Sequence, residues 1–230
     1  MVLDRILLRA QREPRSLVVF DLDSTLFSTQ ERNLAILHEF ATEPARPDGL
    51  AAAIARLTLA DMGWNVMNDL RARGFHDEPT LAELRRYWAA RFFTNDYLAH
   101  DEPLPGAVDY VRAVHGVGAG VVYLTGRDEP GMGRGTRASL EQHRFPLGGD
   151  SARLYLKPRF EEDDLEFKRR VSQELATLGT VVGAFENEPA NANFFCQKFP
   201  DAEVVLLETV HSPNPPPLDA RVFRRKDFVR

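Results

Sequence analysis

The run Leu17-Val18-Val19-Phe20 is followed at once by Asp21 and, one residue further on, by Asp23. A strand that is apolar at every position is covered on both faces, because a half-exposed strand alternates apolar with polar. Strands of that kind belong to parallel sheets, whose crossover connections lay helices over both faces. Such a strand has no structural use for two acids at its C-terminal end. In an open α/β sheet that end is where ligands bind. Residues 21 and 23 project to the same side of an extended backbone. Ser24 and Thr25 then form a hydroxyl turn that can satisfy free backbone groups.

After Thr29 the pattern changes. The stretch from about Gln30 to Asp101 reads as helical throughout, with no strand. Leu34, Leu37, His38 and Ala41 recur at helical spacing, and Glu43 to Gly49 is a turn-rich break. Leu50 to Ala60 reads as one helix, Asp61 caps the next from Met62 to Arg73, and Gly74 stops it. A fourth helix opens at Pro79 and Thr80 and runs to about Ala99, with Leu81, Leu84, Trp88, Phe92 and Leu98 near one face.

Alternation then resumes. Ala107 to His115 is a helix, and Val121 to Leu124 a buried strand ending in Thr125-Gly126-Arg127-Asp128. Pro130 to Gly135 reads as a glycine-rich loop before a helix from Thr136 to Gln142. Strands follow at Arg153 to Pro158, Thr180 to Phe185 and Glu203 to Leu207. The helices between them run to Leu178 and from Pro189 to Lys198. The tail from Thr209 is Pro-rich and then basic, and Arg221 to Arg230 is a solvated edge or a short terminal element. Helix–strand alternation of this kind predicts a parallel sheet with helices on both faces.

The totals agree with a globular chain: 230 residues, 43% hydrophobic and 27% charged, enough for one domain with a sizeable insertion. A formal net charge of −5 argues against a general nucleic-acid surface. Cys196 is the single cysteine, which excludes an intrachain disulfide framework and reads as a packed side chain. Met1 to Ala10 is broken by Asp4, Arg5 and Arg9, so it reads as an amphipathic helix packed on the domain and not as a signal peptide. No stretch is long and apolar enough to span a membrane, and a cytoplasmic location is the default expectation.

Four strands end in polar residues of different kinds: Asp21 and Asp23, Thr125, Lys157 and Glu186. A lone Asp-x-Asp is ordinarily a capping or surface pair. Behind an apolar strand, before Ser-Thr, and matched by polar ends on later strands, the functional reading is the better one. Asp-x-Asp-x-Thr after a hydrophobic strand, with this order of later segments, resembles the haloacid dehalogenase (HAD) superfamily of phosphotransferases over nearly the whole chain. The resemblance implies a HAD-like, Rossmann-like α/β core at residues 1–29 and 102–230, with an all-α cap inserted at 30–101.

It also implies a chemistry, that of a hydrolase of the phosphatase branch. Phosphoryl transfer needs a nucleophile, a proton donor and positive charge around the phosphate. Asp21 is the implied nucleophile, forming an aspartyl phosphate, and Asp23 the acid that protonates the leaving alcohol and then accepts a proton from water. Two carboxylates and a phosphate need a cation, and Mg²⁺ takes hard oxygen ligands. By the resemblance Asp21, the Asp23 carbonyl and Glu186 hold it, with Asn187 bonding a metal-bound water. Here the chain departs from the commoner pattern, which has Asp where Glu186 stands. Thr125 and Gly126 are expected to hold phosphate oxygens. Arg127 either contacts substrate or pairs with a local acid. Two lysines compete for the cationic role, and the resemblance favours Lys168, early in a helix, over Lys157, which is left for substrate or loop contacts. Glu188 reads as a helix N-terminal residue and His211 as a loop histidine.

The reading is a Mg²⁺-dependent phosphomonoesterase acting on a small phosphorylated metabolite. A polynucleotide 3′-phosphatase, a phosphomutase and a catalytically degenerate phosphate-binding module are the alternatives. A dehalogenase is disfavoured, having no use for Asp23 as a proton donor.

Overall fold

The computed structural model describes residues 1–230. Strand β1 (Ser16–Phe20) is buried at all five positions and lies inside the sheet. On one side it pairs in parallel with β4 (Gly120–Asp128), which pairs with β5 (Ala152–Lys157). On the other it pairs with β6 (Thr180–Glu186), followed outward by β7 (Glu203–Leu207) and β8 (Phe223–Arg225). The six-stranded order is β5-β4-β1-β6-β7-β8, and every pairing is parallel. The basic tail thus contributes an edge strand.

Alternate side chains of β1 go to opposite faces, as a period of two requires. Val18 and Phe20 join a core formed with α1 (Val2–Arg12), α6 (Ala107–Gly116) and the end of α7 (Glu129–Gln142). Leu17 and Val19 join the core under α8 (Asp164–Leu178) and α9 (Pro189–Lys198), where Cys196 is buried. On the first face Phe20 stacks on Phe185 with centroids 4.9 Å apart. Phe228, from the last residues of the chain, closes this cluster 5.2 Å from Phe185 and 5.6 Å from Tyr110. A bulge in β6 opposite Leu17 and Val18 inserts Val182, and at the next residue, Gly183, a Cβ would lie 2.9 Å from Ile6 of α1.

The glycine-rich segment after β4 is not a loop. Helix α7 starts at Glu129, immediately after a strand that itself runs on through Asp128. Asp128 caps it by accepting from Gly131 N at 2.7 Å, and Pro130 suits the first turn, so the start signals outweigh the glycines. The glycines serve close approach: a Cβ on Gly131 would lie 3.0 Å from the Phe93 carbonyl, and one on Gly135 would collide with Asn95.

Between β2 (Phe27–Ser28) and β3 (Glu102–Pro103), an antiparallel pair, the chain is helical. Helix α2 (Gln30–Thr42) buries Arg32, Asn33, Ile36, Leu37 and Phe40, a face shifted from the one that Leu34, His38 and Ala41 suggested. Helix α3 stops at Ala55 and α4 spans only Val66–Ala72. Asp61 does not cap α4. It closes a capping box with Thr58 around a short 3-10 turn, and Asn65 caps α4 instead. Helix α5 (Glu78–Phe92) ends before a second 3-10 turn at Tyr97–His100. These helices enclose a core of their own, including Leu37, Phe40, Ile54, Leu70 and Leu84. No helix of the protein is long and apolar enough to cross a membrane.

Candidate active site

Three of the predicted residues meet at one point. Asp21 leaves the end of β1, Glu186 ends β6, and Lys168 reaches them from the second turn of α8. The Lys168 ammonium donates to Asp21 Oδ1 at 2.9 Å and to Glu186 Oε1. All three are buried, at 6%, 0% and 2% exposure. Carboxylates on neighbouring parallel strands converge because the strands stop at a common edge. The lysine makes that convergence tolerable, since buried like charges need a counter-ion.

Each carboxylate is held further. Thr25 Oγ1 donates to Asp21 Oδ2 at 3.0 Å, so the hydroxyl turn serves the side chain of Asp21. Glu186 Oε2 accepts from the backbone N–H groups of Asn187 and Glu188 at 3.2 and 3.3 Å, and Oε1 accepts from Asn191 Nδ2 at 3.2 Å. Burial pushes the Glu186 carboxyl up to about 8, against the pull of Lys168. Burial likewise raises Asp21, partly opposed by Lys168 and Thr25. For Lys168, burial works against the charge, but Asp21 and Glu186 prevail and hold it above its ordinary value.

Asp23 lies beside this group in a different environment. Arg127 grips it with Nε at 3.1 Å and Nη2 at 2.7 Å, and Arg32 adds a contact at 2.7 Å. Burial alone would raise its carboxyl, but the two guanidiniums together hold it well below the usual range. Both arginines also bind Asp101, Arg32 at 2.7 and 2.6 Å and Arg127 at 2.6 Å. The side chains of Arg32, Arg127 and Asp101 are wholly enclosed, and that of Asp23 is 32% exposed. Arg127 therefore pairs with local acids.

Thr125 and Gly126 line the same cavity as Asp21, Asp23 and Lys168. A Cβ on Gly126 would meet only the carboxylate end of the exposed Asp164 side chain, which would have to turn aside. Asn187 also lines the cavity, but its Oδ1 accepts from Thr25 and its Nδ2 donates to the Val210 carbonyl at 2.7 Å. Lys157 is not part of the site. Its ammonium turns into the following loop, to the carbonyls of Phe160 and Glu162 at 2.8 and 2.9 Å and to Asp164 at 2.9 Å. Glu188 ties down the tail through Ser212 N and Oγ at 2.9 and 2.6 Å. His211 pairs only with the Ser212 carbonyl, at 2.8 Å.

Sequence reasoning missed Arg32 and Asp101. The available signal was positional: Arg32 is four residues before Ile36 and sits on the apolar face of α2, where a charge needs a partner. Nothing in the sequence marked Asp101.

The donor set suits a small hard cation. No cluster of three or more His, Cys, Asp or Glu side chains converges anywhere in the chain. What converges is two carboxylates, Asp21 and Glu186, and Asp23 and Asn187 line the same cavity. Mg²⁺ characteristically takes one or two carboxylates and completes its shell with water and substrate phosphate.

No family model matches the sequence, and no curated protein does. Solved structures do match. A candidate phosphatase from Clostridium difficile aligns over 91% of this chain and 93% of its own, at 12% identity and a TM-score of 0.55. A HAD-superfamily hydrolase of subfamily IA from Geobacter sulfurreducens covers 93% of this chain and 92% of its own, at 14% identity and a TM-score of 0.52. Protein tyrosine kinase A from Mycobacterium tuberculosis covers 92% and 93%, at 16% identity and a TM-score of 0.51. The class is thus an α/β protein with an open, wholly parallel six-stranded sheet and polar groups gathered at the carboxyl edge of that sheet. Within that class, the fold is the HAD-like one. A kinase among the matches shows that the fold does not choose the reaction, which must be argued from the site.

Proposed function

We propose that the protein is a Mg²⁺-dependent phosphomonoester hydrolase that works through an aspartyl phosphate on Asp21. The observation that carries this reading is the sharing of one buried ammonium, Lys168, by Asp21 and Glu186 at the end of the sheet. Asp21 lines a cavity at the end of the sheet and is fixed by Lys168 and Thr25, as a nucleophile must be.

Asp21 attacks phosphorus, and the bond to the ester oxygen breaks. Lys168, Thr125 and the backbone around Gly126 face the phosphoryl oxygens as their charge redistributes. Asp23, having bound a proton from solvent in the substrate complex, gives it to the departing alkoxide. Water then attacks the aspartyl phosphate, its proton passes to Asp23, and the bond from Asp21 to phosphorus breaks to release orthophosphate. The arginine pair lowers the Asp23 carboxyl and so favours its return to the ionised form, the state that takes the proton from water in the second half. Asp21, the Asp23 carbonyl and Glu186 would hold the magnesium, with Asn187 beside them. The ion would neutralise phosphate charge that a single lysine cannot balance.

Residues 30–101 act as the cap in this reading. Trp64, Asn65, Trp88 and Phe92 line the same cavity as Asp21, and that cavity has a volume of about 430 Å³. That size suits a small phosphorylated molecule. The test is hydrolysis of a chromogenic phosphate ester with and without Mg²⁺. Turnover requires the metal and falls by at least about a thousandfold in Asp21→Asn. Undiminished turnover in that variant removes the covalent mechanism.

A further inference from the structure

The part of the cavity lined by residues 30–101 has a chemistry of its own. Trp88 and Phe92 stack with centroids 4.6 Å apart, and Phe93 packs edge-on against both. Trp64 lines the cavity too, yet it is 55% exposed. Aromatics at helical spacing are ordinarily core, which accounts for Trp88 and Phe92. It does not account for Trp64, which lies before α4 and outside any helix.

Among the lining residues contributed by 30–101, the polar side chains are Asn33, Asn65 and Arg85. Asn33 Oδ1 accepts from Trp88 Nε1 at 2.7 Å. Asn65 Oδ1 accepts from the backbone N–H groups of Met67 and Asn68 at 3.0 and 3.3 Å. An indole or backbone nitrogen can only donate, so each amide oxygen is fixed there and each NH₂ group is left over. Arg85 brings donors alone. The wall therefore offers aromatic surface and hydrogen-bond donors, and its one spare side-chain acceptor is the second lone pair of Asn33 Oδ1. A sugar or polyol needs acceptors for its hydroxyl protons. A planar heterocycle edged with carbonyl and ring-nitrogen acceptors matches both features, since it stacks on aromatics and accepts from the donors.

We infer that this wall is a subsite for a heteroaromatic ring and that the substrates are nucleoside monophosphates. The inference rests on the phosphatase reading for turnover, with one water consumed and nucleoside and orthophosphate released. Its binding component stands separately.

The test compares kcat/KM for nucleoside 5′-monophosphates, glucose 6-phosphate and benzyl phosphate. All three release a primary alcohol, so the chemistry of the leaving group is matched. At least one nucleotide exceeds both others by tenfold or more, about 1.4 kcal/mol. Trp64→Ala and Arg85→Ala reduce that margin severalfold, chiefly through KM. Equal rates on glucose 6-phosphate overturn the inference, and equal rates on benzyl phosphate overturn the role of the donors and with it the nucleotide assignment. If no ester is hydrolysed, the chromogenic one included, it is the phosphatase reading that fails. Binding then decides the subsite: Asp21→Asn is titrated with AMP and GMP while tryptophan fluorescence is followed. Quenching that disappears when Trp64→Ala is added supports the subsite, and the absence of any quenching overturns it.

Discussion

Arg32 and Asp101 meet at the two ends of the helical insertion, one where the chain leaves the core and one where it returns. Their contacts are 2.7 and 2.6 Å, and both side chains are wholly enclosed. Arg127, from the core strand β4, binds the same Asp101 and reaches on to Asp23. A planar fork that grips two carboxylates cannot be replaced by a point charge. The join between insertion and sheet is thereby tied to a residue of the site.

Asp101→Asn removes one of two negative charges facing two buried guanidiniums. Breaking a buried pair from one side costs about 3–5 kcal/mol. Chemical denaturation should show a midpoint shift of that order, with the slope unchanged. In the surviving folded protein kcat should fall more than KM rises, because Asp23 loses its fixed position. Arg32→Lys should restore little of what Arg32→Ala loses.

Lys168→Met leaves Asp21 and Glu186 buried without their common cation. Loss of one charged group aimed at a developing phosphoryl charge lowers kcat by roughly 10²- to 10³-fold. Steady-state kinetics on the chromogenic ester checks this. Lys157→Met, whose ammonium binds its own loop, should change kcat by less than about twofold. A large loss in Lys157→Met together with a small one in Lys168→Met would reverse the assignment of the two lysines.

Chelation should abolish turnover, and added Mg²⁺ should restore it. Glu186→Ala should raise the Mg²⁺ concentration needed for half-maximal rate by roughly 10- to 100-fold. An unchanged titration would move the ligand elsewhere along the Glu-Asn-Glu segment.

Phe228→Ala tests the tail. The ring packs on Tyr110 and Phe185 at 2% exposure, so its removal should cost about 3–5 kcal/mol in denaturant unfolding. Because it touches no residue of the site, kcat per folded molecule should stay within about twofold.

The sheet was legible because its strands are short apolar runs with no competing period, and β1, β6 and β7 lie where those runs lie. Asp21 and Glu186 were legible because an acid that ends such a run has no packing reason to be there. The helix starting at Glu129 was not, because the glycines of Pro130 to Gly135 outweighed the Asp128 cap in a purely local reading. The broken helices of the insertion were misjudged for a related reason. Whether Leu50 to Ala60 continues past Ala55 depends on partners distant in sequence. Asp101 was invisible, since its meaning comes wholly from two arginines that are 69 and 26 residues away.

The paired crossings at Phe27–Ser28 and Glu102–Pro103 have a consequence for descent. A segment that departs and rejoins at adjacent points can be lengthened, shortened or exchanged without altering the register of any strand in the main sheet. On the proposed reading, the part that would recognise the ligand and the part that would react with it can be inherited independently, provided the newcomer brings an arginine and an aspartate to its two junctions.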